Sequence, residues 1–236
     1  MFNSEILVNV MLLLLCYVYV LFIIFVSGKM STSLKVSRRV SRKFLHVMIG
    51  NLPFIIPFFT IKMFPALVAA PFILVTFLAS PYSPVKNVSR KLQDLADITE
   101  EGHQLGLVFY AISYTVLALL FASRPYLIAA GILPMAYGDA FASIIGEKYG
   151  RRKYRILANK SFEGSMAMFI ASFFSFTISL TFFSILYSFS FLDKILASLA
   201  VAAVATIVEG VSPMGFDNLT VPVLCALTFL LLSGGN

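Results

Sequence analysis

Four carboxylates stand where apolar sequence makes charge expensive: Asp139, Glu163, Glu209 and Asp217 each lie within or at the edge of an apolar run. An ionised group in such a run needs a partner and is by default a functional candidate. Cations that could answer them are Arg42, Lys43 and Lys160, with His46 one helical turn beyond Arg42 on the same face. Glu209 and Asp217 flank the short run Gly210-Val211-Ser212-Pro213-Met214-Gly215-Phe216, whose Gly and Pro are turn chemistry. Carboxylates next to an amide, here Asn218, are hard oxygen ligands of the kind Mg²⁺ uses together with substrate phosphates.

Two further segments carry spacing. In 138–147, Gly138, Ala142 and Gly146 form a small-residue stripe, which explains close helix packing. Asp139, Ser143 and Glu147 form a polar stripe on the adjacent face, and packing gives no reason for an acid there. In Asn159-Lys160-Ser161-Phe162-Glu163-Gly164, Ser161 reads as an N-cap and Glu163 suits the positive end of the helix dipole. A helix N-terminus beside a lysine is also a phosphate cradle, through free backbone N–H groups and a point charge. Bland alternatives stand beside these readings: a snorkelling Arg42, an interfacial His46, a capped helix start.

The elements that must position these groups are apolar helices. With 59% hydrophobic and 12% charged residues over 236 positions, the chain has too little polar surface to cover a water-soluble globule. A membrane-spanning helix needs roughly 20 mostly apolar residues. The pattern predicts one polytopic all-α membrane domain over 1–236, with about eight transmembrane helices at 5–26, 44–60, 63–80, 106–122, 125–147, 162–187, 191–209 and 217–233. Pro53, Pro57, Pro65 and Pro71 interrupt the second and third, so a re-entrant hairpin is the alternative there. The first run lacks the basic start and small-residue cleavage site of a signal peptide. Cys16 and Cys225 lie far apart inside apolar runs and read as core residues.

Placing the N-terminus outside puts 15 of the 18 Lys and Arg on cytoplasmic linkers, leaving Lys62, Arg124 and Lys194 outside. Most of these cations need only a topogenic role beside anionic lipid. The loop acids Asp94, Asp97, Glu100 and Glu101 read as a solvated face beside Lys91, and His103 as a surface residue. On this topology the four costly carboxylates sit at the cytoplasmic ends of four helices, on the side of the catalytic loops. Cations, carboxylates and a phosphate cradle at one membrane face describe a metal-dependent site for a phosphorylated soluble donor and a lipid acceptor. No G-x-x-x-x-G-K-[ST] and no kinase Gly-rich loop is present, so a P-loop or protein-kinase ATP site is not supported.

Taken in order, Arg42-Lys43-x-x-His46, Gly138-Asp139-x-x-Ala142-Ser143-x-x-Gly146, Lys160-Ser161-x-Glu163-Gly164 and Asp217-Asn218-x-Thr220-x-Pro222 resemble the CTP-dependent lipid alcohol kinases. That family includes dolichol kinase, phytol kinase and a CTP-dependent diacylglycerol kinase. The resemblance covers 42–222, with the helix at 5–26 an additional N-terminal span. It implies transfer of the CTP γ-phosphate to the hydroxyl of a membrane isoprenoid alcohol (dolichol, phytol, geranylgeraniol or similar), giving the monophosphate and CDP. In that frame Asp139 and Asp217 hold Mg²⁺ or another divalent cation, with Asn218 an additional ligand or an orienting group. Arg42, Lys43 and Lys160 contact phosphates, and Ser143, Ser161, Glu163 and Gly164 belong to the nucleotide site. Gly138 and Gly146 admit the nucleotide or a neighbouring helix, and Glu209 or His46 accepts the alcohol proton. CTP, the isoprenoid alcohol and the bilayer are the expected partners, with no nucleic acid. The residence implied is the cell membrane in a prokaryote and otherwise the endoplasmic reticulum.

Competing readings are a CTP-dependent cytidylyltransferase making a CDP-lipid, a CTP-dependent diacylglycerol kinase, and a small-molecule transporter. The glycine- and histidine-containing C-terminal signature of the cytidylyltransferases is absent. Transporter sites lie near the bilayer midplane between repeats, whereas these polar groups crowd one interface.

Overall fold

The computed structural model describes residues 2–34, 36–87, 105–157, 159–213 and 215–233; the loop acids 94, 97, 100 and 101, Arg90, Lys91 and His103 lie outside them. Helix α1 runs Phe2–Thr32, α2 Arg38–Ile49, α3 Phe64–Leu67 and α4 Ala70–Ala79. Then come α5 Gly106–Phe121, α6 Pro125–Leu133, a π-helical turn Pro134–Gly138 and α7 Asp139–Tyr149. Strands β1 Lys153–Arg155 and β2 Asn159–Ser161 precede α8 Phe162–Tyr187, α9 Ile195–Val211 and α10 Asp217–Leu232.

Four helical stretches are long and apolar enough to cross a membrane by length and composition: Ser4–Met30, Pro125–Tyr149, Phe162–Tyr187 and Leu192–Val211. Phe64–Ala79, Gly106–Phe121 and Asp217–Leu232 are shorter apolar helices. The all-helical membrane class therefore holds, and seven of the eight apolar segments carry helix over most of their length. The eighth differs. Across 44–60, α2 stops at Ile49 and two short 3₁₀ turns follow, Leu52–Phe54 and Ile56–Phe58. Pro53 and Pro57 sit in those turns, where each lacks the N–H that a continuing α-helix would use.

The hub is the composite helix α6–π turn–α7. Every residue of α6 is buried, and α8, α10 and α5 pack around it. Close approach requires glycine at two places. A Cβ on Gly131 would overlap the Pro222 carbonyl of α10, and one on Gly50 would lie 2.5 Å from the Ala136 Cβ. Leu14, Val18 and Phe22 of α1, and Phe174 and Ile178 of α8, leave apolar surface outward, as lipid contact requires.

Helix α2 inverts the usual pattern, since its buried residues are Ser41, Arg42, Lys43, Leu45 and His46. Ser37 caps its start, the hydroxyl accepting from Val40 N at 3.4 Å. A second departure from the all-helical expectation is the antiparallel hairpin β1–β2, with Tyr154 opposite Lys160. It turns the basic linker back on the bundle: the Tyr154 hydroxyl lies 2.7 Å from Ser165 Oγ, and a Cβ on Gly210 would touch it at 3.0 Å.

Candidate active site

Six polar side chains from three helices are taken out of solvent at one end of the bundle. Arg42, Lys43 and His46 of α2, Glu209 of α9 and Asp217 and Asn218 of α10 are each at most 8% exposed. Burying so many ionisable groups is costly unless they pair. Lys43 Nζ meets Asp139 Oδ2 at 2.5 Å, and Lys160 Nζ forms an ion pair with Glu209 Oε1. Arg42, Lys43, His46, Asp139, Asp217 and Asn218 line a common small cavity, closed on the remaining side by Gly106 and Leu107 of α5.

Local structure explains each placement. The π turn ends at Gly138, so Asp139 opens α7 directly after a change of helical register. Such turns commonly mark functional positions. The Ser172 hydroxyl of α8 donates to the Pro134 carbonyl at 3.1 Å where the turn begins. Asp217 and Asn218 start α10 after the tight loop, and Ser212 Oγ lies 3.0 Å from Thr220 Oγ1 across it. Lys160 is carried by β2, facing inward beside Tyr154 while Asn159 and Arg155 face out. Burial of the Lys160 ammonium acts to lower its pKa. Glu209, then Asp217 and Asp139, outweigh that and hold it above the ordinary lysine range.

His46 is defined at one nitrogen. Its Nε2 lies 2.9 Å from Asn218 Oδ1, a carbonyl-type oxygen that only accepts, so Nε2 carries the proton. The other nitrogen, Nδ1, is buried without a hydrogen-bond partner among the described residues and therefore keeps its lone pair. The ring stacks on Tyr110 at 4.5 Å, and the Tyr110 hydroxyl donates to the His46 carbonyl at 3.3 Å.

The remaining sequence candidates fall elsewhere. A Cβ on Gly138 would meet Met168 and Ser172, and one on Gly146 would lie 3.1 Å from Ser161 Oγ and 3.5 Å from Gly164 Cα. The small-residue stripe is thus filled by α8 and its cap. Ser161 accepts from Gly164 N at 3.1 Å, which occupies the cap. Both Glu163 oxygens accept from Arg152 N at 3.3 Å, so that acid closes the base of the hairpin. Ser143 is half-buried on α7, and Glu147 pairs with Arg39 at 2.7 Å. None of Gly138, Ser143, Gly146, Ser161, Glu163 and Gly164 lines the polar cavity. Gly106, Leu107 and Tyr110 do line or back it, and sequence reasoning passed over them: α5 reads as uniformly apolar, with no charge to draw attention. Among the described residues no group of three or more His, Cys, Asp and Glu side chains is close enough to hold a metal ion unaided.

Comparison with known proteins finds relatives of this chain. The chain is 33% identical over 193 residues to a phytol kinase of Synechocystis, covering 80% of this chain and 77% of that one. The chain belongs to the polyprenol and lipid alcohol kinase family. It is also 32% identical over 217 residues to a probable chloroplastic phytol kinase of Triticum aestivum, covering 85% and 70% of the two chains. A chloroplastic farnesol kinase of Arabidopsis thaliana is 29% identical over 133 residues, of which the match spans 42% of its length. No family model matches, and no solved structure does.

Proposed function

We propose that this protein is a CTP-dependent kinase that transfers the nucleotide γ-phosphate to the hydroxyl of a membrane isoprenoid alcohol, giving the lipid monophosphate and CDP. The observation that carries the reading is the buried cluster of Arg42, Lys43, His46, Asp139, Asp217 and Asn218 around one cavity, in a chain whose relatives are named phytol and farnesol kinases. Phosphoryl transfer needs mainly positioning and neutralisation of charge, and a water-poor site strengthens both.

Arg42, Lys43 and Lys160 supply the positive charge for the triphosphate. Lys43 pairs with Asp139 and Lys160 with Glu209, which keeps their ammonium groups in place without an uncompensated charge. His46 Nδ1, rather than Glu209, is the group suited to take the alcohol proton. Its lone pair is free, whereas the Glu209 carboxylate is committed to Lys160. The alcohol oxygen forms a bond to the γ-phosphorus, the bond from that phosphorus to the β-bridging oxygen breaks, and CDP leaves. Asn218 orients the imidazole through Nε2. Asp139 and Asp217 would hold a divalent cation. Mg²⁺ takes few protein ligands and completes its shell with water and substrate phosphates, so two carboxylates suit an ion that arrives with the nucleotide. When bound, that ion would neutralise phosphate charge.

The test is to incubate purified protein in detergent or liposomes with γ-labelled CTP, Mg²⁺ and a panel of phytol, farnesol, geranylgeraniol, dolichol and diacylglycerol. Labelled prenyl phosphate with stoichiometric CDP, abolished by chelation and restored by Mg²⁺, is expected. Release of pyrophosphate with a CDP-lipid product, or no labelled lipid from folded protein, overturns the reading.

A further inference from the structure

A site sealed among buried charges must still admit the hydroxyl end of a long apolar molecule. Directly beside the polar cavity lies a second one of about 60 Å³, lined by apolar side chains of α1, α2, α4 and α5. The two share Leu107 as a common wall. His46 of the polar cavity stacks face to face on Tyr110 of the apolar one. Among the described residues, three buried side-chain polar atoms have no hydrogen-bond partner, and two belong to these adjoining walls: His46 Nδ1 and Tyr114 Oη. Tyr114 is 2% exposed. A buried hydroxyl left without an acceptor points to a ligand that brings one. An isoprenoid brings the acceptors a hydrocarbon can offer, the π electrons of its double bonds.

The helix packing supplies the way out. Helix α1 packs on α2 and α3, α3 and α4 pack on α5, and the cavity lies among them; the seam between α1 and α4 is the thinner one, closed by Tyr17 edge-on to Phe72 at 6.0 Å and by Ile23 beside Ala79. An apolar cavity of about 150 Å³ holds a benzene ring. At about 60 Å³ this chamber encloses only the head-proximal part of a chain, and the remainder must run out between helices into lipid. A larger apolar groove of about 800 Å³ runs along α7 and α8, lined by residues such as Phe141, Ala167 and Ala171. It shares no lining residue with the polar cavity.

We propose that the chamber behind Leu107 is the acceptor subsite: it takes the hydroxyl-bearing end of the alcohol, places the hydroxyl at His46 Nδ1, and releases the rest of the chain between α1 and α4. This rests on the kinase reading for its chemistry, but occupancy of the chamber can be read without turnover. A geranylgeraniol analogue with a diazirine on its first isoprene unit, irradiated with the wild-type protein in liposomes, is expected to label peptides of α2, α4 or α5. Competition by unlabelled geranylgeraniol should remove the label. Label confined to α7 and α8 overturns the proposal. In the transfer assay, Ala111→Leu adds bulk to the chamber wall and is expected to raise the KM for geranylgeraniol about tenfold, the scale of a misfit of one or two methylenes. The KM for CTP should stay unchanged. The matched change in the other groove, Ala171→Leu, is expected to leave both constants as they are; the reverse pattern overturns the proposal. If no alcohol is phosphorylated, the kinase reading fails, while the labelling still decides who occupies the chamber.

Discussion

Two ion pairs tie α2 to α7, one helical turn apart on α2 and two on α7. Lys43–Asp139 closes at 2.5 Å and Arg39–Glu147 at 2.7 Å. In the first pair the side chains are 5% and 15% exposed, and in the second 37% and 62%. The chemistry is the same and the surroundings are opposite. An exposed pair is screened by water and contributes little. A buried pair has lost its hydration, so each charge depends on the other and is little screened from whatever enters the cavity that both residues line. The difference teaches which of the many basic residues belong to a site: those on the inner face of α2, and the one that the hairpin turns inward.

The largest expected effect is at Asp139. Asp139→Asn should lower phosphoryl transfer roughly 10²–10³-fold, the scale for loss of one preorganised electrostatic group. Asp139→Ala should in addition destabilise the protein by about 3 kcal/mol, because Lys43 is left buried and uncompensated. The double change Lys43→Met with Asp139→Leu should recover the thermal midpoint without recovering transfer, and recovery of both would make the buried pair purely structural. Next comes His46→Gln, which keeps a hydrogen bond to Asn218 but has no basic nitrogen, and should lower the rate about 10²-fold. Its pH–rate profile should also lose the acid limb; an unchanged profile would return the role of base to Glu209.

Lys160→Met should raise the KM for nucleotide about tenfold, the weight of a charge-assisted hydrogen bond. Should kcat alone fall, the lysine contacts the transition state and not the bound triphosphate. The smallest mutational effect is at the exposed pair, where Glu147→Gln should change stability by ~0.5 kcal/mol and the transfer rate by less than about twofold. A large loss there would erase the contrast between the two pairs. The pH dependence of Lys160 follows from its raised pKa. Its ion pair contributes stability fully below the ordinary lysine value, and that contribution is lost only as pH rises through the higher folded value. A thermal midpoint followed from neutral to strongly alkaline pH should fall later in the wild type than in Glu209→Gln.

Much of the polar cavity was legible in the order of residues because charge inside apolar sequence is conspicuous. Asp139, Asp217, Arg42, Lys43, His46 and Asn218 announce themselves by being out of place, and the structure gathers all six. Glycine and serine positions were ambiguous for a physical reason. A stripe such as Gly138, Ala142 and Gly146 serves equally for a backbone close to a ligand and for a backbone close to another helix, and here α8 fills that space. Glu163 looked like its neighbour Lys160 on paper, yet it points to the hairpin base while Lys160 points inward.

By itself, the sequence determined the lipid-embedded helical class, the family, and the stock of charges available to a site, since all three follow from composition and local spacing. Tertiary structure decided which charges face one another. A π turn sets the direction of Asp139, a two-stranded hairpin carries Lys160 to Glu209, and an apolar helix with no marked residue contributes Leu107 and Tyr110 to the cavity walls. Those are matters of register and of contacts between distant segments, and local residue preferences do not encode them.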